Sequence, residues 1–245
     1  MSDPLLVHVG YSPWSLKARI ALSLGGLRHR RLEYLPMLRE PWLRWKTRNF
    51  TGRLTVPVLL TDQGPLGDSF HIARLALAGT AYWPEDAALG AWNAWSERML
   101  ELGRTRTTRR VLTDPQALYA SLPASLAGLG PLSMWIARAA AWYLLRKYGV
   151  DDQEAALEAR MDALLDQLDG VLVDQEHLLG RLSYADVVAA AGLSFVLPPA
   201  GLPVTALARP HWTVPGLVAK YGRLLQWRDR ILAECAAASP EEGRP

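Results

Sequence analysis

Residues 11–15 read YSPWS, directly after an apolar run and directly before a helical pattern. A cysteine pair at this place and spacing does redox chemistry, because the positive end of a helix stabilises the thiolate of the first cysteine. Here both sulfurs are replaced by the hydroxyls of Ser12 and Ser15. A hydroxyl takes no part in thiol–disulfide exchange, so reductase chemistry is disfavoured while the anion-stabilising setting is kept. The natural reading is that the sulfur arrives with a small-molecule thiol; the plainer one is that Ser12 only caps the helix.

Such a turn needs a strand to deliver it and a helix to open behind it. LLVHV (5–9) reads as a buried strand, and SLKARIALSLGG sets Leu16, Ile20 and Leu24 at helical spacing ahead of a Gly25-Gly26 stop. RRLEYLP returns to a strand pattern, and WLRWKTRNF reads as a short helix or an irregular crossing. VPVLLTDQGPLG follows as an apolar strand, a turn at Asp62-Gln63-Gly64 and a very short second strand. DSFHIARLALAG is then a helix that Asp68 or Ser69 caps. The order βαβ then ββα makes a compact α/β sandwich.

Beyond the linker GTAYWPEDA the pattern is helical throughout. Leu157, Met161, Leu164, Leu165, Leu168, Val171 and Leu172 recur three or four apart behind the acidic start DDQE, which suits a helix N-terminus. SYADVVAAAGLSFVL is apolar nearly all round, so it belongs in the middle of a bundle and ends at Pro198-Pro199. At its start Ser183 and Asp186 stand at capping-box spacing, the serine accepting one backbone amide and the aspartate reaching back to another.

Composition bounds the rest. With 245 residues, 50% of them hydrophobic, the chain suffices for one large or two small domains. It lacks an apolar run long enough for a membrane span and a secretory leader pattern, so the expectation is a cytoplasmic protein with no membrane partner. The net charge of +3 is spread among acidic residues, and nucleic-acid binding is not expected. In the densest basic run, RTRTTRR, Arg104, Arg106, Arg109 and Arg110 read as a solvated helix end. Trp135, Trp142 and Tyr143 read as core packing on a helix, and the tail from Ala236 onward as disordered. Cys235 stands alone and cannot form an intrachain disulfide. His8, His29, His71, His177 and His211 show no metal-ligand spacing, so no metal is expected.

Four motifs in order resemble the cytosolic glutathione transferases over nearly the whole chain: YSPWSLKARIAL, TVPVLL, GDSFHIARLA and HLLGRLSYADVVAAA. The resemblance implies a thioredoxin-like N-terminal domain over residues 1–79 and an all-α C-terminal domain over 87–235. It implies that Ser12 donates a hydrogen bond to the sulfur of glutathione, with Ser15 and Tyr11 as the alternative hydroxyls. Val56 would pair its backbone with the cysteinyl unit beside a cis Pro57. Asp68 and Ser69 would hold the γ-glutamyl end at a helix N-terminus, and Arg53 or Lys46 the glycyl carboxylate. NFTGRLTVP is longer than the family's usual form at that point, and Asp68 is shorter than its usual glutamate or glutamine. The implied activity is addition of the glutathione thiolate to a small hydrophobic electrophile by a homodimer active in detoxification. Tyr11, Trp14 and the helix from Trp92 to Leu102 would line the electrophile. The alternative is a non-catalytic binding or scaffold protein on the same fold.

Overall fold

The structure, a computed structural model, describes residues 3–36, 38–120, 132–136, 138–139, 142 and 153–239. These fall into two compact units. The first takes in the chain up to Ala94, Gln175–Ala191 and the chain from Trp227 on; the second is Trp95–Asp174 with Gly192–Gln226.

The first unit opens with strands β1 (Leu5–His8), β2 (Arg30–Glu33), β3 (Val58–Thr61) and β4 (Gly64–Gly67), interleaved with helices α1 (Pro13–Leu24), α2 (Glu40–Thr47) and α3 (Ser69–Leu77). The sheet order is β2-β1-β3-β4, with β1 parallel to β2 and the other pairs antiparallel. This is the expected βαβ then ββα arrangement, and WLRWKTRNF resolves in favour of a helix. Alternation along β1 divides the packing. Leu6 and Leu59 meet Ala18 and Leu22 of α1 and Ile72 of α3, while Val7 on the other face meets Leu43 and Leu54.

Local chemistry sets the ends of these elements. Pro13 opens α1, where its missing N–H leaves no bond unmade. Gly25 closes it so near to α3 that a Cβ there would strike the Ala76 carbonyl, and Gly26 follows at φ 63°. Arg44 ties the loop after α2, donating to the carbonyls of Asn49 and Gly52, each at 3.0 Å.

The helical elements are α4 (Ala87–Thr113), α5 (Pro115–Ala120), α6 (Glu154–Val171), α7 (Tyr184–Gly192) with a 3-10 turn at Leu193–Phe195, α8 (Arg209–Trp212), α9 (Pro215–Lys220) and α10 (Gly222–Ala238). Among the described residues no strand follows β4. In the second unit α6 buries Leu157, Met161, Leu164, Leu165 and Leu168 as their spacing predicts, and Leu164 lends its carbonyl to Trp95 Nε1 at 3.1 Å. Val171, expected on the same stripe, is 38% exposed.

Several expectations are corrected. Asp186 does reach back to the Ser183 N–H at 2.9 Å, but the Ser183 hydroxyl donates to the same carboxylate instead of accepting a backbone amide. The other Asp186 oxygen takes the Leu178 N–H at 2.7 Å. Burial pushes the Asp186 carboxyl above its ordinary range despite these donors. Arg106 is no solvated helix end: it is 1% exposed and bonded to Glu158 and to the His211 carbonyl, because α6 and the segment at α8 close over it. Trp135 and Trp142 are 72% and 61% exposed, so the helical stretch at 132–136 turns its tryptophan away from the core; Tyr143 lies outside the described residues. Ala236 to Ala238 complete α10, since Cys235 on the same helix is anchored in the core. Burial drives that thiol up to about 12.

Candidate thiol-binding site

The register of the sheet gathers the site. His8 lies opposite Glu33, Val7 opposite Val58, and Val58 opposite Gly67. The end of β1, the end of β2, the start of β3 and the end of β4 therefore lie at one end of the sheet. Ser12 follows β1, Val56 and Pro57 precede β3, and Asp68 and Ser69 follow β4, so residues far apart in sequence leave the sheet on the same side.

The three loop hydroxyls take different places. Ser15 is fully buried and its Oγ accepts the Val9 N–H at 3.1 Å, bracing the turn against α1. Tyr11 is 44% exposed. Ser12 is half-buried, sits at the N-cap position of α1 with φ −78° and ψ 126°, and its hydroxyl makes no capping bond. Serines at this position ordinarily spend their oxygen on an N–H of the first turn. The Ser12 backbone is fixed nonetheless, its N–H donating to the Val9 carbonyl at 3.0 Å and its carbonyl accepting from Leu16 at 2.9 Å.

Gly10 is held from two sides. Its N–H donates to Glu33 Oε1 at 2.9 Å, and its carbonyl accepts from Arg19 Nη2 at 3.1 Å. Arg19 thus braces the turn. No sequence signal marks Glu33; the register that sets it opposite His8 brings it to the turn. Beneath the turn His8 is 7% exposed, with Nδ1 3.9 Å from Glu33 Oε2. Burial, aided by Arg19 and Arg31, holds its imidazole below the usual 6.5 against the opposing pull of Glu33.

At the second helix start Asp68 adopts φ 72° and caps α3, its Oδ1 accepting the Phe70 N–H at 2.7 Å. Ser69 is 1% exposed, and its hydroxyl has no hydrogen-bond partner among the described residues. Tyr184 donates its OH to the Ser69 carbonyl at 3.3 Å and stacks on Trp83 at 5.7 Å, with Phe70 against both rings. The Val56–Pro57 bond is cis. Lys46 and Arg53 are exposed, and the Lys46 ammonium lies 4.8 Å from the centre of the Trp45 ring.

A cavity of about 350 Å³ opens between α3 and the segment after it, lined by Phe70, Arg74, Trp83, Glu85, Asp86 and Leu89 among others. None of the three loop hydroxyls lines it. Among the described residues no group of three His, Cys, Asp or Glu side chains is placed to hold a metal ion, and no helix is long and apolar enough to cross a membrane.

Residues 11–76 match the family model of the glutathione S-transferase N-terminal domain. Solved structures extend the likeness across the chain. The beta-etherase LigF from Sphingobium sp. strain SYK-6 aligns with TM-score 0.59 at 16% identity, covering 95% of this chain and 100% of its own. The glutathione S-transferase from Methylobacterium radiotolerans, in complex with glutathione sulfonate, gives 0.58 at 17% identity over 100% and 98%. The glutathione S-transferase from Methylobacillus flagellatus, with glutathione bound, gives 0.58 at 15% identity over 97% and 99%. The chain has the glutathione S-transferase fold. Comparison with curated proteins finds no significant match. Within that fold the matched segment runs from Tyr11, at the hydroxyl-bearing turn, to Ala76, near the end of α3.

Proposed function

We propose that the protein is a glutathione transferase, in which residues 1–79 bind glutathione and ionise its thiol for attack on a small hydrophobic electrophile. The observation that carries this is Ser12, an N-cap serine whose hydroxyl does not cap. Ser12 donates to the sulfur, with the more exposed Tyr11 as the next hydroxyl; the buried Ser15 serves the turn. Val56 pairs with the cysteinyl backbone beside Pro57, Asp68 and Ser69 take the γ-glutamyl end, and Arg53 or Lys46 takes the glycyl carboxylate. The thiolate forms a carbon–sulfur bond, the leaving group departs with its electron pair, and the thiol proton passes to solvent. The working form proposed is a cytoplasmic homodimer serving detoxification.

The energetics are adequate. A free thiol titrates near ~8.5, so about 3% is thiolate at neutral pH. A hydrogen bond to the charged sulfur contributes about 1.5–3 kcal/mol and a helix N-terminus about 0.3–1 kcal/mol, together about one to three pKa units. At neutral pH that raises the thiolate share of the bound thiol from about 3% to between about a quarter and nearly all of it.

The test is calorimetry with glutathione, ultraviolet titration of the bound thiol, and turnover of a model aryl halide, on wild type and Ser12→Ala. Binding with a lowered thiol pKa, lost in Ser12→Ala, is expected. Absence of binding would leave a scaffold protein on this fold. Because one protein of the same fold is a beta-etherase, an aryl ether is the second substrate to assay.

A further inference from the structure

Beside the backbone bond from the Ser12 N–H to the Val9 carbonyl, side chains hold the turn that carries Ser12. The Val9 N–H is held by Ser15 Oγ, the Gly10 carbonyl by Arg19 and the Gly10 N–H by Glu33. Ser15 and Arg19 come from α1, the helix that Ser12 itself opens. Glu33 comes from β2 and ties the turn to the sheet. Its side chain is 49% exposed, so water is open to it, and its bond to the Gly10 amide is not a product of enclosure. One carboxylate oxygen takes that amide at 2.9 Å, and the other stands 3.9 Å from His8 Nδ1, the residue opposite in the parallel register. The carboxylate thus spans from strand end to turn, two residues from the candidate sulfur-binding hydroxyl.

Resting on the thiolate reading above, we propose that Glu33 is a positioning residue for Ser12: through the Gly10 amide it sets the turn at the height where the Ser12 hydroxyl meets the sulfur. Gly10 needs an acceptor at this point; the charge of the acceptor is secondary. A hydroxyl misplaced by a fraction of an ångström still allows glutathione to bind, because the tripeptide is gripped elsewhere, but it stabilises the thiolate less.

The test uses the full chain as wild type, Ser12→Ala, Glu33→Ala, Glu33→Gln and the Ser12→Ala/Glu33→Ala double variant. The readouts are glutathione affinity by calorimetry, the pKa of the bound thiol from its ultraviolet thiolate band, and kcat and KM with a model aryl halide. Glu33→Ala is expected to raise the bound thiol's pKa and lower kcat about tenfold, with glutathione affinity within about twofold. Glu33→Gln, which keeps an acceptor, stays within about twofold of wild type in every readout. In the Ser12→Ala background Glu33→Ala changes nothing further, the non-additivity of groups that act through one another. A purely structural Glu33 moves stability and leaves the thiol pKa alone; that result, or full additivity of the two substitutions, overturns the proposal. If Ser12→Ala leaves the bound thiol ionising as in wild type, the thiolate reading itself falls and the proposal with it. A check free of substitutions is amide exchange in the wild-type protein. The Gly10 N–H is expected to be protected like the interior of β1, and exchange at the rate of an unfolded chain overturns the clamp.

Discussion

Arg106 and Glu158 form an ion pair with one end in the interior and the other at the surface: Nε to Oε1 is 2.6 Å, the guanidinium is 1% exposed and the carboxylate 35%. Glu154, 46% exposed, adds a second contact at 3.1 Å. The two ends respond differently to substitution. Deleting the arginine leaves Glu154 on Arg110 and Glu158 with access to water, whereas deleting the carboxylates leaves a buried guanidinium with no counter-charge among the described residues and only the His211 carbonyl to bond. The Glu154→Ala/Glu158→Ala double variant is therefore expected to lose about 3–5 kcal/mol, and Arg106→Met distinctly less. Urea denaturation of both variants checks this, and the reverse order would contradict the burial argument.

Ser15 and Ser12 separate stability from chemistry. Ser15→Ala leaves the Val9 N–H without its acceptor in a site where Val9 is only 9% exposed, and is expected to lose about 1–3 kcal/mol. Ser12→Ala removes a hydroxyl that makes no capping bond, and is expected to change stability by less than about 0.5 kcal/mol. Equal losses in chemical denaturation would mean that Ser12 is a structural cap after all.

His8 makes stability sensitive to mild acid. Burial holds the folded imidazole neutral below its ordinary 6.5, with Arg19 and Arg31 acting the same way and Glu33 against them. The unfolded chain binds its proton first as the pH falls. This contribution to stability is complete above 6.5 and is lost as the pH drops from there through the lower folded value. Urea midpoints measured from pH 8 downward (about 8 to 5, spanning the ordinary histidine range) should show this slope in wild type and a flatter one in His8→Gln. Parallel slopes in the two proteins would remove His8 from the account.

What the sequence determined by itself was local. Alternation along Leu5–His8, the Pro13 and Gly25-Gly26 brackets of α1, the Asp68 cap and the apolar spacing of α6 each lie within a short window, where backbone preference and periodicity suffice. The order of those elements then limits the fold. Tertiary structure decided everything that depends on what arrives from elsewhere in the chain. RTRTTRR reads as solvated because the partners of Arg106 lie 52 and 105 residues away. Trp135 reads as core because hydrophobicity says nothing about which side of a helix finds a neighbour, and that side faces solvent here. Ser12 and Ser15 are the same residue three apart, yet one hydroxyl is enclosed against Val9 and the other is not. Glu33 became part of the turn only through its register with His8. A charge or a hydroxyl acquires its role from the partner and the solvent around it, and both are set by long-range packing.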